Sequence, residues 1–419
     1  MAKKLTAVVA GALVAGIVAG SVIHTSVADE SIRQAIAGYC QIGTDLFLRM
    51  IKMIIAPLVL STLTVGIAHM GDPARLGRVG IRTLGWFLFA SLVSLALGLV
   101  MVTLIAPGAG AGFALPAAEV DSGVRASGIT LKDFITHLVP KSIVEAMASN
   151  EILQIVVFSA FLGTAMAALG DRVARLLGLL DDLAQVMLRM TGYVMLFAPI
   201  AVFAAITAVV AQHGLGVLAT YGRFVGGFYL SLIVLWVVLL TLGATVVGRR
   251  LFGLAPLLRE PILLAFSTAS SEAAYPKTLQ QLERYGVSGR IASFVLPLGY
   301  SFNLDGSMMY CTFATLFIAQ VYGISLSISQ QITMLLLLMV TSKGMAGVPR
   351  ASLVVIAATL AHFGIPEAGL VLILAVDQFL DMGRSATNVV GNSVATVVVA
   401  AWEGELVGTT AAKRARSAT

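Results

Sequence analysis

Asp377, Asp381, Arg384 and Asn388 recur along one otherwise apolar stretch, residues 366–402, at i, i+4, i+7 and i+11. In a helix that spacing puts all four on one face. Asn392 extends the face by a further turn. An ionisable side chain at the centre of a membrane costs about 2.5–3.5 kcal/mol on insertion scales, so such groups face partners or water. Asp381 and Arg384 could serve as a structural ion pair between helices. The two asparagines beyond them exceed what a static pair requires, and favour a binding face. A guanidinium fork matches a carboxylate through two parallel hydrogen bonds. The Asp381 carboxylate suits an ammonium. Together they describe a site for a zwitterion that carries a second carboxylate.

A second group of polar residues interrupts an earlier apolar run at Asn303-Leu304-Asp305-Gly306. In a soluble protein this tetrapeptide would be an ordinary turn. Inside an apolar span it predicts an unwound stretch whose carbonyls and carboxylate can ligate a cation. Two further interruptions, Ser267-Thr268-Ala269-Ser270-Ser271-Glu272 and Thr341 to Pro349, offer hydroxyls and backbone N–H groups at half-helix ends, which suit anions. Glu272 and Lys343 sit at these two tips. They either pair across the site or each face water, and pairing is the favoured reading. The five histidines are scattered without metal-ligand spacing, and Met50 and Met53 read as apolar filler. Cys311 reads as a small buried residue, and two cysteines, Cys40 and Cys311, do not make a disulfide framework. There is no Walker, HExxH or GxSxG motif, which argues against an ATP-driven pump or a membrane hydrolase.

The elements that must hold these groups are membrane helices. Of 419 residues 58% are hydrophobic and 11% charged, with mean hydropathy +0.95. A soluble domain carries about 25% charged residues. Apolar segments lie at 5–28, 43–69, 83–107, 151–169, 186–212 and 223–248. The first is too long for the core of a signal peptide and reads as a span. Arg75, Arg78 and Arg82, then Arg172 and Arg175, then Arg249 and Arg250 fall in alternate connectors, and Lys3 and Lys4 on the same side. The positive-inside rule makes that side the cytoplasm and the connector 108–150 external. The basic tail, Lys413, Arg414 and Arg416, predicts an even number of spans with both termini cytoplasmic. The net charge of +6 therefore belongs to loops, and no basic stripe with interleaved aromatics suggests nucleic acid.

After residue 250 the runs shorten to 261–266, 291–300, 308–322, 332–340 and 351–361. Each is too short to cross alone. Paired halves around a small or polar tip predict re-entrant hairpins, tolerated at membrane depth only where they are packed in protein or line a wet cavity. The order hairpin, broken helix, hairpin, broken helix predicts an internal repeat, the pattern that marks a transporter's midplane site.

With these motifs in order, the chain resembles the dicarboxylate/amino acid:cation symporters, a family that includes glutamate and aspartate transporters and bacterial C4-dicarboxylate carriers. The resemblance begins at Phe47 to Leu58 and covers nearly the whole chain. It is most specific at the first hairpin tip, Asn303 to Gly306, Gly344 to Pro349, and Asp377 to Asn392. It implies an all-α membrane protein of eight spans and two re-entrant hairpins with inverted repeats, assembled as a homotrimer in the bacterial inner membrane, with no cofactor and no enzymatic activity. Residues 1–82 would be scaffold spans 1 and 2, and 83–107 span 3 of a mobile transport part. Residues 108–222 would be the external connector with scaffold spans 4 and 5. Residues 223–419 would form the transport core: span 6, hairpin 1, span 7, hairpin 2 and span 8. The transport part would move like a lift, with hairpin 2 as its gate.

By the same resemblance Asp381 holds a substrate ammonium and Arg384 a side-chain carboxylate. Ser307, Ser385 and Asn388 are further substrate positions, and Ser270, Ser271 and Val348 lie at the hairpin contacts. The ion-coupling positions are Glu272, Gly299, Asn303, Asp305, Ser342, Lys343, Asp377 and Asn392. Sodium-coupled relatives have an aspartate where this chain has Asn392. They have a tyrosine and a threonine in the third span where it has Phe87 and Ala90, with only Ser91 keeping its hydroxyl. Lys343 stands beside the hairpin carbonyls of the last sodium site, where a fixed ammonium replaces a sodium ion. These departures imply proton coupling with Glu272 or Asp305 as carrier. Sodium at Asn303, Asp305 and Asn388 is the alternative. Glu272 and the Thr341-Ser342-Lys343-Gly344 stretch look more like the C4-dicarboxylate carriers, but those lack the ammonium-binding aspartate. Asp381 therefore favours aspartate or glutamate over succinate, fumarate or malate. An ion channel is the reading from another class; saturable exchange of solute separates the two.

Overall fold

The computed structural model describes residues 2–68, 73–110, 136, 139–215, 221–342, 351–374 and 376–406. Among them the regular structure is helical: α1 (Ala2–Ser26), α2 (Glu30–Ala68), α3 (Pro73–Ile105), α4 (Ile143–Ala148), α5 (Ile152–Leu169), α6 (Ala174–Val194), α7 (Ala198–His213) and α8 (Gly222–Val247). Then follow α9 (Ala255–Thr268), α10 (Tyr275–Tyr285), α11 (Gly289–Phe302), α12 (Asp305–Val321), α13 (Ile328–Thr341), α14 (Ala351–His362), α15 (Leu370–Leu374) and α16 (Asp377–Trp402). The only β pairing among the described residues is one bridge, Val287 with Leu406.

The first half consists of long rods. Glu30–Ala68, Gly77–Ile105, Ile152–Gln212 and Gly222–Thr268 contain stretches long and apolar enough to cross a membrane. Val14, Val18 and Val22 of α1 are all more than half exposed, as are Leu230, Ile233 and Val237 of α8. Apolar stripes of this kind belong in lipid, not water. The chain is a multi-pass α-helical membrane protein. The second half is built of halves. α9 and α10 flank one tip, α13 and α14 flank another, and α11–α12 and α15–α16 are broken rods. The predicted succession of short paired helices and broken rods is therefore present among the described residues.

Two boundaries differ from expectation for a physical reason. α2 begins at Glu30, not near 43, because Asp29 starts the helix: its carboxylate accepts from Ser31 N at 2.8 Å and Ser31 Oγ at 2.7 Å. Those hydrogen bonds hold the exposed Asp29 carboxyl below its usual pKa. Hydropathy marks the part of a helix that lies in lipid, not the whole helix. The run 186–212 is likewise not one rod. A short 3-10 turn at Met195–Phe197 precedes Pro199, which lacks the N–H an uninterrupted helix needs.

Packing sorts the helices into two groups. α1, α2, α5, α6 and α7 pack on one another, with α7 against both α1 and α2. α16 is the axis of the other group, in contact with α8, α9, α11 and α12, while α12 also packs on α3 and α14. Residues 385–400 of α16 and 303–319 around α12 are all buried. A helix enclosed on every side is a core element. Phe224 stacks on Phe317 at 3.9 Å between centroids, and Phe228 lies edge-on to Tyr310 and Phe313. Each such pair adds about 0.5–1.5 kcal/mol beyond area burial, locking α8 to α12. α9 and α11 make the main contacts back to α1, α2, α5 and α7.

At one end of the molecule Glu403, just past α16, accepts from Arg82 at 2.8 Å and Arg78 at 3.3 Å. Arg290 at the start of α11 reaches Glu405 at 3.1 Å. The end of α16 thus lies on the same side as the α2–α3 connector.

Candidate functional site

The site forms where α11 and α16 meet the unwound residues between α11 and α12. Asn303 (φ −120°, ψ 63°) and Leu304 (φ −96°, ψ 62°) leave the helical region, so α11 ends and α12 restarts inside the protein. The restart exposes free N–H groups. Gly306 N donates to Asn388 Oδ1 at 2.9 Å, capping α12 from α16. Gly306 is required there: a Cβ would strike the Arg384 carbonyl oxygen. On the facing helix a Cβ at Gly391 would strike Asp305 Oδ2. Two glycines thus let α12 and α16 approach closely enough for their polar groups to interlock.

One polar cluster surrounds Arg384. Its Nε and Nη2 both donate to Asp381 Oδ1, the Nε at 2.7 Å. Its Nη1 donates to Ser307 Oγ at 3.3 Å and to Ser352 Oγ at 2.5 Å. Asn388 Nδ2 donates to the same Ser307 Oγ at 3.3 Å, and Ser385 Oγ to Asp381 at 3.4 Å. The Asp381 and Arg384 side chains are each 15% exposed, so neither is bathed in bulk water. The ion pair is present, but both partners lie on α16 and it therefore ties no two helices. The serines do that: Ser307 brings in α12 and Ser352 brings in α14. With Asp381 and Arg384 closed on each other, each charge is compensated within the protein. A guest that carries both an ammonium and a carboxylate can take over both halves of the pair without stranding a charge, which a simple anion cannot do.

A second cluster lies one to two turns along α16. Asn303 Nδ2 donates to Asp305 Oδ2 at 3.1 Å and to Asn392 Oδ1 at 3.2 Å. Ser94 Oγ of α3 donates to Asp305 Oδ1 at 3.1 Å. Asn303, Asp305, Asn392 and Ser94 are all completely buried. Asp305 supplies the carboxylate of this group, and the other three are neutral. Gly299 belongs here by packing, since a Cβ on it would strike Asn392 Oδ1. Asn303 Oδ1 and Asn392 Nδ2 find no hydrogen-bond partner among the described residues. A buried orphan of this kind costs about 1–3 kcal/mol. Asp377 stands at the start of α16, where Tyr310 OH donates to its Oδ1 at 2.7 Å.

The hairpin tips are less fully placed. Ser270 Oγ accepts from Ala273 N at 3.3 Å, and the Ser271 carbonyl accepts from Ala274 N at 3.1 Å, so the first tip is a tight turn. Ala269 in it adopts a left-handed φ of 49°, a strained conformation for a residue with a Cβ. Glu272 is half-buried at the same tip. Ser342, almost fully buried, donates to the Met339 carbonyl of its own helix at 3.0 Å. Lys343, Val348 and the rest of the stretch Gly344 to Pro349 lie outside the described residues. Sequence reasoning does not find Ser352, Ser94 and Tyr310. None stands out from its neighbours in the sequence, and only its facing partner gives it a role. Among the described residues no three His, Cys, Asp or Glu side chains are grouped to hold a metal.

Over almost its whole length the chain is similar to known transport proteins. Residues 5–402 match the Sodium:dicarboxylate symporter family. A "Proton/sodium-glutamate symport protein" of Bacillus caldotenax is 38% identical over 398 residues, 94% of this chain and 93% of the relative. The "Proton/glutamate-aspartate symporter" of Escherichia coli (strain K12) is 40% identical over 401 residues, 94% of this chain and 91% of the relative. A "C4-dicarboxylate transport protein" of Anaeromyxobacter sp. (strain K) is 40% identical over 370 residues, 86% of this chain and 83% of the relative.

Proposed function

Because the chain belongs to the Sodium:dicarboxylate symporter family, we propose that it is a secondary symporter taking up aspartate or glutamate together with protons. The observation that carries the reading is the Asp381–Arg384 pair, nearly buried on α16 and joined by Ser307, Asn388 and Ser352. On binding, the substrate ammonium replaces Arg384 at Asp381, and the side-chain carboxylate replaces Asp381 at Arg384. Asn388 and the N-terminal turn of α12 receive the remaining carboxylate, with the first hairpin tip beside them. The relatives named above divide between amino-acid and C4-dicarboxylate carriers. Asp381 favours the former. A C4-dicarboxylate offers no ammonium, and its binding would leave a buried carboxylate without a cation.

Proton coupling rests on the second cluster. A cation site needs negative charge from its ligands. Asn392 is neutral, and Asp305, held by Ser94 and Asn303, is the group able to take and release a proton there. Glu272 at the first tip is the other candidate carrier. Sodium at Asn303, Asp305 and Asn388 is the competing reading.

The division of packing into two groups supports an elevator-type movement. In it α1, α2 and α4–α7 form the scaffold, and α3 with α8–α16 carries the site. The chain works as a homotrimer in the bacterial inner membrane with both termini cytoplasmic. Uptake of labelled aspartate into proteoliposomes tests the coupling. An inward proton gradient should drive accumulation without sodium. Accumulation that follows a sodium gradient and ignores pH would refute it.

A further inference from the structure

A cleft of about 440 Å³ lies outside the substrate site, between α8, α9 and α16. Trp236 and Leu240 of α8 form one wall, Leu258, Ile262 and Phe266 of α9 the other, and Val390 of α16 the floor. The lining is apolar except for Arg259. Arg259 is exposed and makes no hydrogen bond or ion pair among the described residues.

The cleft faces lipid. Ile233 and Val237 flank Trp236 on α8 and are each 59% exposed, as a bilayer-facing stripe requires. Its length fits the same solvent. The helical wall from Ala255 to Phe266 rises about 17 Å at 1.5 Å per residue, close to the roughly 15 Å of one hydrocarbon leaflet. Arg259 stands in the second turn of α9, near the connector that carries Arg249 and Arg250, where a span meets the headgroups. Arg259 starts about 7.5 Å inside the Leu254 end at 1.5 Å per residue, and a long arginine side chain can reach from there toward the headgroups. An apolar slot with such a guanidinium is complementary to one acyl chain and the phosphate above it.

We propose that this cleft seats one acyl chain of a membrane phospholipid, with the lipid phosphate held by Arg259. The seat adjoins the substrate helix. Trp236 Nε1 donates to Thr387 Oγ1 at 2.8 Å, and Thr387 packs beside Gly306. A chain lodged against Trp236 is thus one side chain from the turn that Asn388 caps. The inference requires only that the chain crosses a membrane, and is independent of which solute is carried.

The test uses the full protein in nanodiscs containing a phosphatidylglycerol with a photoreactive acyl chain. After irradiation, labelled peptides are mapped by mass spectrometry. Labelling should concentrate on 236–240 and 254–266, above the outer face at Ile233. Arg259→Gln should lower it about tenfold, the loss of one charge-assisted contact. Ile262→Trp, at a half-buried position, should fill the slot and remove the labelling there while leaving the melting temperature and labelling elsewhere unchanged. Uniform labelling along the outer faces, no response to either variant, or cross-links to a second copy in place of lipid would each overturn the proposal.

Discussion

Arg384 Nη1 donates to Ser352 Oγ at 2.5 Å, so the second arm of the second hairpin is tied to α16 through the guanidinium that also pairs with Asp381. One hydroxyl therefore links a hairpin to the residue proposed to hold the substrate's side-chain carboxylate. If the hairpin is the gate, opening it must give up this hydrogen bond, and a substrate on Arg384 must share the guanidinium with it.

Ser352→Ala should weaken aspartate binding about three- to tenfold, the loss of about one hydrogen bond. The KM for uptake should rise more than kcat falls. An unchanged KM would show that the bond is incidental.

Asp381→Ala should abolish aspartate binding, or weaken it at least about 100-fold, because hydrogen bonds to charged groups contribute about 1.5–3 kcal/mol and Arg384 is left unpaired as well. Arg384→Ala should shift preference toward neutral amino acids. Binding to a panel of solutes checks both, and retained aspartate preference in Arg384→Ala would rule out the clamp.

Gly391→Ala should displace the Asp305 carboxylate, since the new Cβ would occupy its place. The Ser94 hydrogen bond is then lost, and proton-driven accumulation should fall more than aspartate binding does. Asp305→Asn should do the same without the steric conflict. A variant that binds aspartate and still accumulates it under a pH gradient would remove Asp305 as the proton carrier, leaving Glu272.

The polar face of α16 is legible in the sequence because helical periodicity is a local signal: four polar residues at helical spacing in an apolar run must share a face, and that face must meet partners or water. The break at Asn303-Leu304 is legible because polar residues beside a glycine interrupt an apolar run. Partners brought by other helices are not. Ser94 does not stand out from Ser91, and nothing in the sequence says which of two third-span hydroxyls reaches Asp305 at 3.1 Å. Tyr310 reads as one more aromatic in an apolar run, and only the fold brings it to Asp377. The buried pair of Glu260 and Lys277, on the two arms of the first hairpin, has no local signal at all.

That pair yields a stability prediction. Lys277 Nζ lies 2.9 Å from Glu260 Oε1, with side chains only 11% and 9% exposed. The contact is ionic without hydrogen-bond geometry at that oxygen. Lys277→Met alone should cost about 3–5 kcal/mol by stranding a carboxylate, while Lys277→Met with Glu260→Leu should restore most of it. Thermal melting in detergent reads both, and additive losses would show that the two residues are not coupled.

The most direct test of the account is displacement of bound labelled aspartate by unlabelled aspartate and by succinate, in the native chain and in Asp381→Ala. The account predicts that aspartate displaces the label at far lower concentration than succinate, and that the aspartate advantage disappears with Asp381. Equal displacement by succinate in the native chain, or an aspartate advantage that survives the loss of Asp381, would contradict it.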